Sequence, residues 1–375
     1  MRGDLSFAQS DFNSVDALIL SQIAYNNIED LVSADFKQKI TLEELSKRFI
    51  ATQDFEIRCN MGAMINPLTP QLLLQAAKSH RFGKIKVSGF INKIDEQAIE
   101  QFSAITYQIE KDRYVTALRG TDDTIVGWYE DFNLGCLDEI PAQKDAGIYI
   151  QNAMSALKGS FILTGHSKGG NLSVKAGMSV PKKSIGRLEK VYNFDGPGFF
   201  APVYKKPEFL QIKDRVFSYF PEFCVVGMMF EHTKQYKIVE CSAKDILQHD
   251  PFSWNVIGPE FETAEKFDEA STIFYSSFNE WAAKLSQQER QKFIDTFFDV
   301  IYSSGAKTNY EIDQNKIVCG GKMIAKLAEL SETERKSVVR AFKVFVKVAK
   351  DNIPMFSVFN PKSLLMDRLP GQARQ

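Results

Sequence analysis

The chain has 375 residues, 44% of them hydrophobic and 25% charged, the balance of a globular protein able to bury a large core. Lysine plus arginine number 46 against 47 aspartate plus glutamate, a net charge of -1, so no overall field would gather nucleic acid and none is expected as a partner. The five cysteines, Cys59, Cys136, Cys224, Cys241 and Cys319, are scattered without a C-x-x-C pair. That usage fits the reduced thiols of a cytoplasmic protein better than a disulfide framework or a zinc site.

Acidic residues stand in MRGDLSFAQSDFNSVD where a signal peptide needs an apolar stretch, and the longest apolar run, FCVVGMMF (223 to 230), is too short to span a bilayer. The sequence therefore predicts neither export nor membrane insertion. Residues 12 to 80 read as mostly helical: DFNSVDALILSQIAYNNI has helical apolar spacing, and Thr41 with Glu44 forms a capping-box pair before LEELSKRF. From about 85 to 255 the pattern turns to strands. IKVSGFI, FSAITYQI and YVTALRG are β-rich, and the polar turn EKDR between the last two predicts a hairpin. FILTG, KVYNF, RVFSYF and YKIVEC follow, several separated by helix-length segments, which implies βαβ units and a mainly parallel sheet. After about 258 the pattern is helical, with capping-box pairs at Ser286/Glu289 and Ser331/Glu334. The expected organisation is a first domain over 1–257 and a helical region over 258–375 packed on it.

Residues 162 to 170, ILTGHSKGG, contain G-x-S-x-G directly after a strand-like run and before a helix with small residues. A serine on such a tight strand-to-helix turn stands exposed above the sheet, as a nucleophile requires; the plainer reading is a turn with a serine cap. A nucleophile needs a base, and the chain has four histidines. His166 adjoins Ser167 and would be carried away from its hydroxyl by the turn, so packing is its expected role. His80, in SHRFGK, reads as a loop residue. His249 in LQHDPFSW follows the last strands and is the preferred base, with His232 in FEHTKQY as the rival.

The acid belongs between Ser167 and that histidine at a strand end. Asp195 ends KVYNFD before Gly-Pro-Gly and is preferred; Glu222, after RVFSYFP, is the alternative, and Asp250 is expected to face away or cap its loop. Two amides would complete an oxyanion hole, that of Lys168 after the nucleophile and that of Thr121 in the RGTDD loop. The histidines lack metal-ligand spacing, VCGGK (318 to 322) lacks phosphate-loop spacing, and Cys319 reads as a buried thiol, so neither metal nor cofactor is expected.

YVTALRGTDDTIVGWYEDF followed by LTGHSKGG resembles the class 3 lipase branch of the α/β hydrolases. More closely, QFSAITYQI, RGTDDTIVGWYEDFN, GHSKGGNL, NFDGPGF, VVGMMFEH and QHDPFSW, in order between about residues 15 and 260, resemble the bacterial Mbeg1-like family. The resemblance implies an α/β-hydrolase fold, Ser167 as nucleophile, Thr121 as oxyanion donor, His249 as base, and a lid-like segment over 121 to 132 with Asp122 and Trp128 on the substrate side. Class 3 lipases usually carry an Asp after the later strand; here that place offers Glu222, which favours Asp195 as the acid.

RKSVVRAFKVFVKVAK (335 to 350) predicts a basic amphipathic helix, suited to an anionic membrane surface but more commonly a core-facing helix with a solvated basic face. Taken together, the sequence predicts a serine hydrolase acting on a lipid or small-molecule ester, with no transmembrane segment and no oligomeric state implied. The alternatives are a thioesterase or amidase with the same triad, and a catalytically silent protein that holds an acyl group.

Overall fold

A computed structural model describes residues 3–233 and 235–339. Helix α1 (Ser14–Ile23) opens on a capping box in which the Asn13 side chain accepts from the Val15 and Asp16 amides and Asp16 returns a bond to the Asn13 amide. Strand β1 (Ile40–Thr41) leads into α2 (Leu42–Ile50), where the Thr41 hydroxyl accepts from the Glu44 amide at 3.1 Å. Helices α3 (Phe55–Cys59) and α4 (Thr69–Lys78) complete the N-terminal helices.

Strands β2 (Lys86–Asp95), β3 (Glu100–Glu110) and β4 (Arg113–Leu118) form an antiparallel meander, with the expected hairpin between β3 and β4. The chain continues through α5 (Ile125–Asn133), α6 (Pro141–Ala156), β5 (Ser160–His166), α7 (Lys168–Met178), β6 (Leu188–Phe194), α8 (Pro207–Leu210), β7 (Val216–Pro221) and β8 (Tyr236–Val239). Successive pairs from β4 to β8 run parallel, and β5 is buried almost throughout because helices cover both of its faces. Strands β9 (Val256–Ile257) and β10 (Glu260–Phe261) make a small hairpin, and β11 (Thr263–Ala264) adds antiparallel to β8. The result is an α/β fold whose nine-stranded sheet, among the described residues, has a parallel centre and antiparallel edges. The helical pattern expected from 258 begins later, at α9 (Glu269–Lys284), because Gly258 at φ 61° turns the chain back on itself. Helices α10 (Gln287–Tyr302), α11 (Asn309–Gln314) and α12 (Lys316–Glu329) follow, and α10 opens on the expected Ser286/Glu289 capping box.

The chain divides into two compact units. One comprises Met1–Met61, Asn66–Asp122 and Glu139–Trp281, so it runs past the expected boundary at 257. The other comprises Gly62–Ile65, Asp123–Asp138 and Ala282–Gln375. Its core gathers Ile125, Phe297, Phe298, Ile301, Met323 and Val338, with Tyr129 stacked on Phe298 at 4.5 Å and Phe132 on Phe297 at 5.5 Å. The Asp123 carboxylate accepts from the amides of Ala63 and Tyr310, both at 2.9 Å, which is why two short upstream segments belong to this unit. The part of the basic amphipathic stretch from 340 to 350 lies outside the described residues.

In the first unit, Arg81 is buried with Asp16: Nε donates to Oδ1 at 2.7 Å and Nη2 to Oδ2 at 2.5 Å. Its remaining protons reach the carbonyls of Leu5, Ser6, Ser10 and Asp11, and its Cζ lies 4.2 Å from the Phe7 ring centroid. Removing one partner of a buried pair strands the other charge. Arg81→Ala is therefore expected to lower unfolding free energy by about 3–5 kcal/mol in urea titrations. A loss below about 1 kcal/mol would show that Asp16 finds water instead.

Candidate active site

Ser167 stands between β5 and α7 at φ 57°, ψ -135°, in the left-handed half of conformational space. For a non-glycine residue that costs about 1–3 kcal/mol, which the surroundings must offset. The Ser167 amide donates to Phe194 O at 2.9 Å and its carbonyl accepts from the Gly170 amide at 2.8 Å, so the turn is fixed on both sides. The flanking glycines follow from space. A β-carbon at Gly165 would stand 2.0 Å from Gly169 O, and one at Gly169 would stand 2.2 Å from Leu118 O. Helix α7 can start beside the end of β4 only because neither residue has a side chain.

Asp195 follows β6 with φ 48°, is fully buried, and donates its amide to Tyr219 O at 2.8 Å. Its Oδ2 lies 2.5 Å from His249 Nδ1, and His249 Nε2 lies 3.1 Å from Ser167 Oγ. A carboxylate can only accept, so the imidazole proton sits on Nδ1 and Nε2 is left to accept from the serine hydroxyl. The segment carrying His249 is pinned on every side. His166 Nε2 donates to His249 O at 2.8 Å, Trp254 Nε1 to Gln248 O at 2.8 Å, and Asn66 Nδ2 to Asp250 Oδ2 at 2.5 Å. Asp250 also caps its own loop by accepting from the Phe252 amide at 3.1 Å.

His166 does more than pack. Burial, and then the neighbouring His249, push its pKa well below the usual histidine range, so it stays a neutral donor, its ring centroid 4.7 Å from that of His249. His232 lies edge-on to Phe220 at 4.9 Å, and burial brings it down to about 4. His80 sits exposed in a turn, and Cys319 is a buried thiol of α12.

The carboxylate bonded to His249 is that of Asp195; Glu222, the rival, follows β7, where burial and the nearby Glu240 and Asp268 raise its pKa. Lys168 is buried, its Nζ donating to Gln101 O of β3 at 2.8 Å, which holds its side chain against the sheet. Thr121 follows Gly120, where a β-carbon would approach Ser167 Cβ to 3.2 Å. Asp122 accepts from buried Arg119 Nη2 at 3.0 Å, which holds the loop after β4. Trp128 belongs to α5, half-buried against the core of the second unit. Among the described residues no group of three or more His, Cys, Asp or Glu is placed to hold a metal, and no helix is long and apolar enough to cross a membrane.

The profile of the Mbeg1-like family matches residues 76–299, a span that includes Ser167, Asp195 and His249. The chain belongs to the Mbeg1-like family. No curated protein matches its sequence. Among solved structures it is similar to the M37 lipase, with TM-score 0.36 and 14% identity, covering 57% of this chain and 68% of that one. It is also similar to a mutant of MDLA from Penicillium cyclopium, with TM-score 0.38 and 13% identity, covering 74% of this chain and 95% of that one.

Within the Mbeg1-like span, two groups at the site escaped sequence reasoning. The Cys224 thiol donates to Asp195 Oδ1 at 2.9 Å and the Gly227 amide donates to the same oxygen at 3.1 Å. Both lie in FCVVGMMF, which reads as an apolar run; the glycine within it was the one available signal.

Proposed function

We propose that this Mbeg1-like protein is a serine hydrolase of the lipase/esterase type, cleaving the carboxylic ester of an acyl lipid or small molecule through an acyl-serine intermediate. The observation that carries the reading is the unbroken chain of hydrogen bonds from Ser167 Oγ through His249 to Asp195. Ser167 Oγ attacks the ester carbonyl carbon while its proton passes to His249 Nε2. The resulting imidazolium is held by the Asp195 carboxylate, and the negative charge on the former carbonyl oxygen is met by the amides of Lys168 and Thr121. The tetrahedral intermediate then expels the alcohol, which takes the proton from His249 Nε2, and water repeats the sequence to release the acid.

The test is covalent labelling with a fluorophosphonate probe, comparing the wild-type protein with Ser167→Ala. Labelling confined to the wild type supports the reading. A folded wild-type protein that takes no label removes it in favour of a silent acyl-binding protein. Ester, thioester and anilide substrates offered side by side then separate an esterase from a thioesterase or amidase.

A further inference from the structure

Asp195 Oδ2 faces His249, and Oδ1 is held by the turn after β7. Gly227 approaches so closely that a β-carbon there would stand 2.3 Å from Asp195 Oδ1. Cys224 is fully buried, and its own amide donates to Ser271 Oγ of α9 at 2.8 Å, while Ser271 donates to Glu222 O at 3.3 Å. One residue before Cys224, the Phe223 amide donates to Gln248 Oε1 at 2.7 Å, tying the same turn to the neighbour of His249. The thiol and the amide therefore reach the carboxylate from a turn that is anchored at three points.

We propose that Cys224 and Gly227 form a two-donor clamp on Asp195 that fixes its carboxylate so that Oδ2 alone meets His249. The inference rests on the triad reading above and makes Cys224 a positioning residue, acting through Asp195 without touching substrate. A buried carboxylate needs donors on both oxygens, and a free Oδ1 would let the group rotate and share its charge between competing geometries. A thiol suits the task. Burial, and then the Asp195 charge, push the Cys224 pKa far up, so the sulfur keeps its proton and remains a donor. As a weak donor it leaves most of the carboxylate charge for the imidazolium. His232, the other histidine that senses the Asp195 charge, is kept neutral by burial and does not compete.

Cys224→Ala and Cys224→Ser test the clamp. The alanine variant is expected to lose about tenfold in kcat with KM unchanged, the scale of one hydrogen bond to a charged group. The acidic limb of its kcat/KM profile moves to higher pH, because a carboxylate with one donor fewer holds the imidazolium more strongly. Serine keeps a donor, so kcat stays within about threefold of wild type and the limb lies at or below that of wild type. An alanine variant with wild-type kcat and limb overturns the clamp; if alanine does not fold, a serine limb displaced upward overturns it. Fluorophosphonate labelling of the wild type separates the two failures. An unlabelled wild type rejects the triad, whereas a labelled one with an indifferent Cys224→Ala rejects only the clamp.

Discussion

Replacing Ser167 with alanine is expected to lower kcat on an ester substrate by about 10⁴–10⁶-fold while leaving the unfolding transition where it was. The large effect follows from position: Ser167 Oγ is the oxygen within 3.1 Å of His249 Nε2, and its removal leaves the base with no proton to take. The unchanged stability follows from the backbone, since alanine at φ 57° carries the same penalty as serine and the amide bond to Phe194 O survives. Steady-state kinetics with circular dichroism on the same preparation check both halves. A variant retaining more than about one per cent of activity would mean that another group attacks the substrate.

Asp195→Asn is expected to cost about 10⁴-fold in kcat. An asparagine there would keep its carbonyl toward the Cys224 and Gly227 donors and turn its NH₂ toward His249 Nδ1. Nδ1 would then have to accept, which moves the imidazole proton to Nε2 and faces it at Ser167, where a base is wanted. The substitution nearly preserves shape while reversing the tautomer, so the loss reports on proton placement. Glu222→Gln, by contrast, is expected to change kcat by less than about twofold, since the acceptor at His249 is Asp195. The reverse ranking of these two variants would make Glu222 the acid.

Much of this fold was legible because its signals are local. The β-rich runs at FILTG, KVYNF and RVFSYF became β5, β6 and β7, and the hydroxyls of Thr41 and Ser286 cap helices by accepting from the amides of Glu44 and Glu289, three residues on. The candidate site was legible in outline for a related reason: few histidines were available, and Gly165 and Gly169 bracket Ser167 where only glycine leaves room for the turn. What stayed hidden depends on distance along the chain. The thiol of Cys224 meets Asp195 across 29 residues, and His166 supports His249 across 83, with no periodicity to announce either. The short strands around Gly258 in VIGPEF stayed hidden because two residues each are too few to show alternation beside the helical pattern downstream. Similarly, the Asp123–Asp138 segment joins a unit built mainly from residues 282 onward, because the Asp123 carboxylate and the rings of Tyr129 and Phe132 find their partners there.

Ser167 and Asp195 lie at the ends of adjacent strands, and both adopt positive φ, at 57° and 48°. Glycine at Ser167 would relax the backbone and add stability on the order of 1 kcal/mol at the loss of the hydroxyl, whereas at Asp195 the same relief would be outweighed by stranding the buried donors of Cys224, Gly227 and His249. Selection for stability alone would thus favour glycine in place of the serine and keep the carboxylate. A lineage in which the site had fallen idle would drift that way, and resurrecting its ancestors would reveal when the hydroxyl was given up.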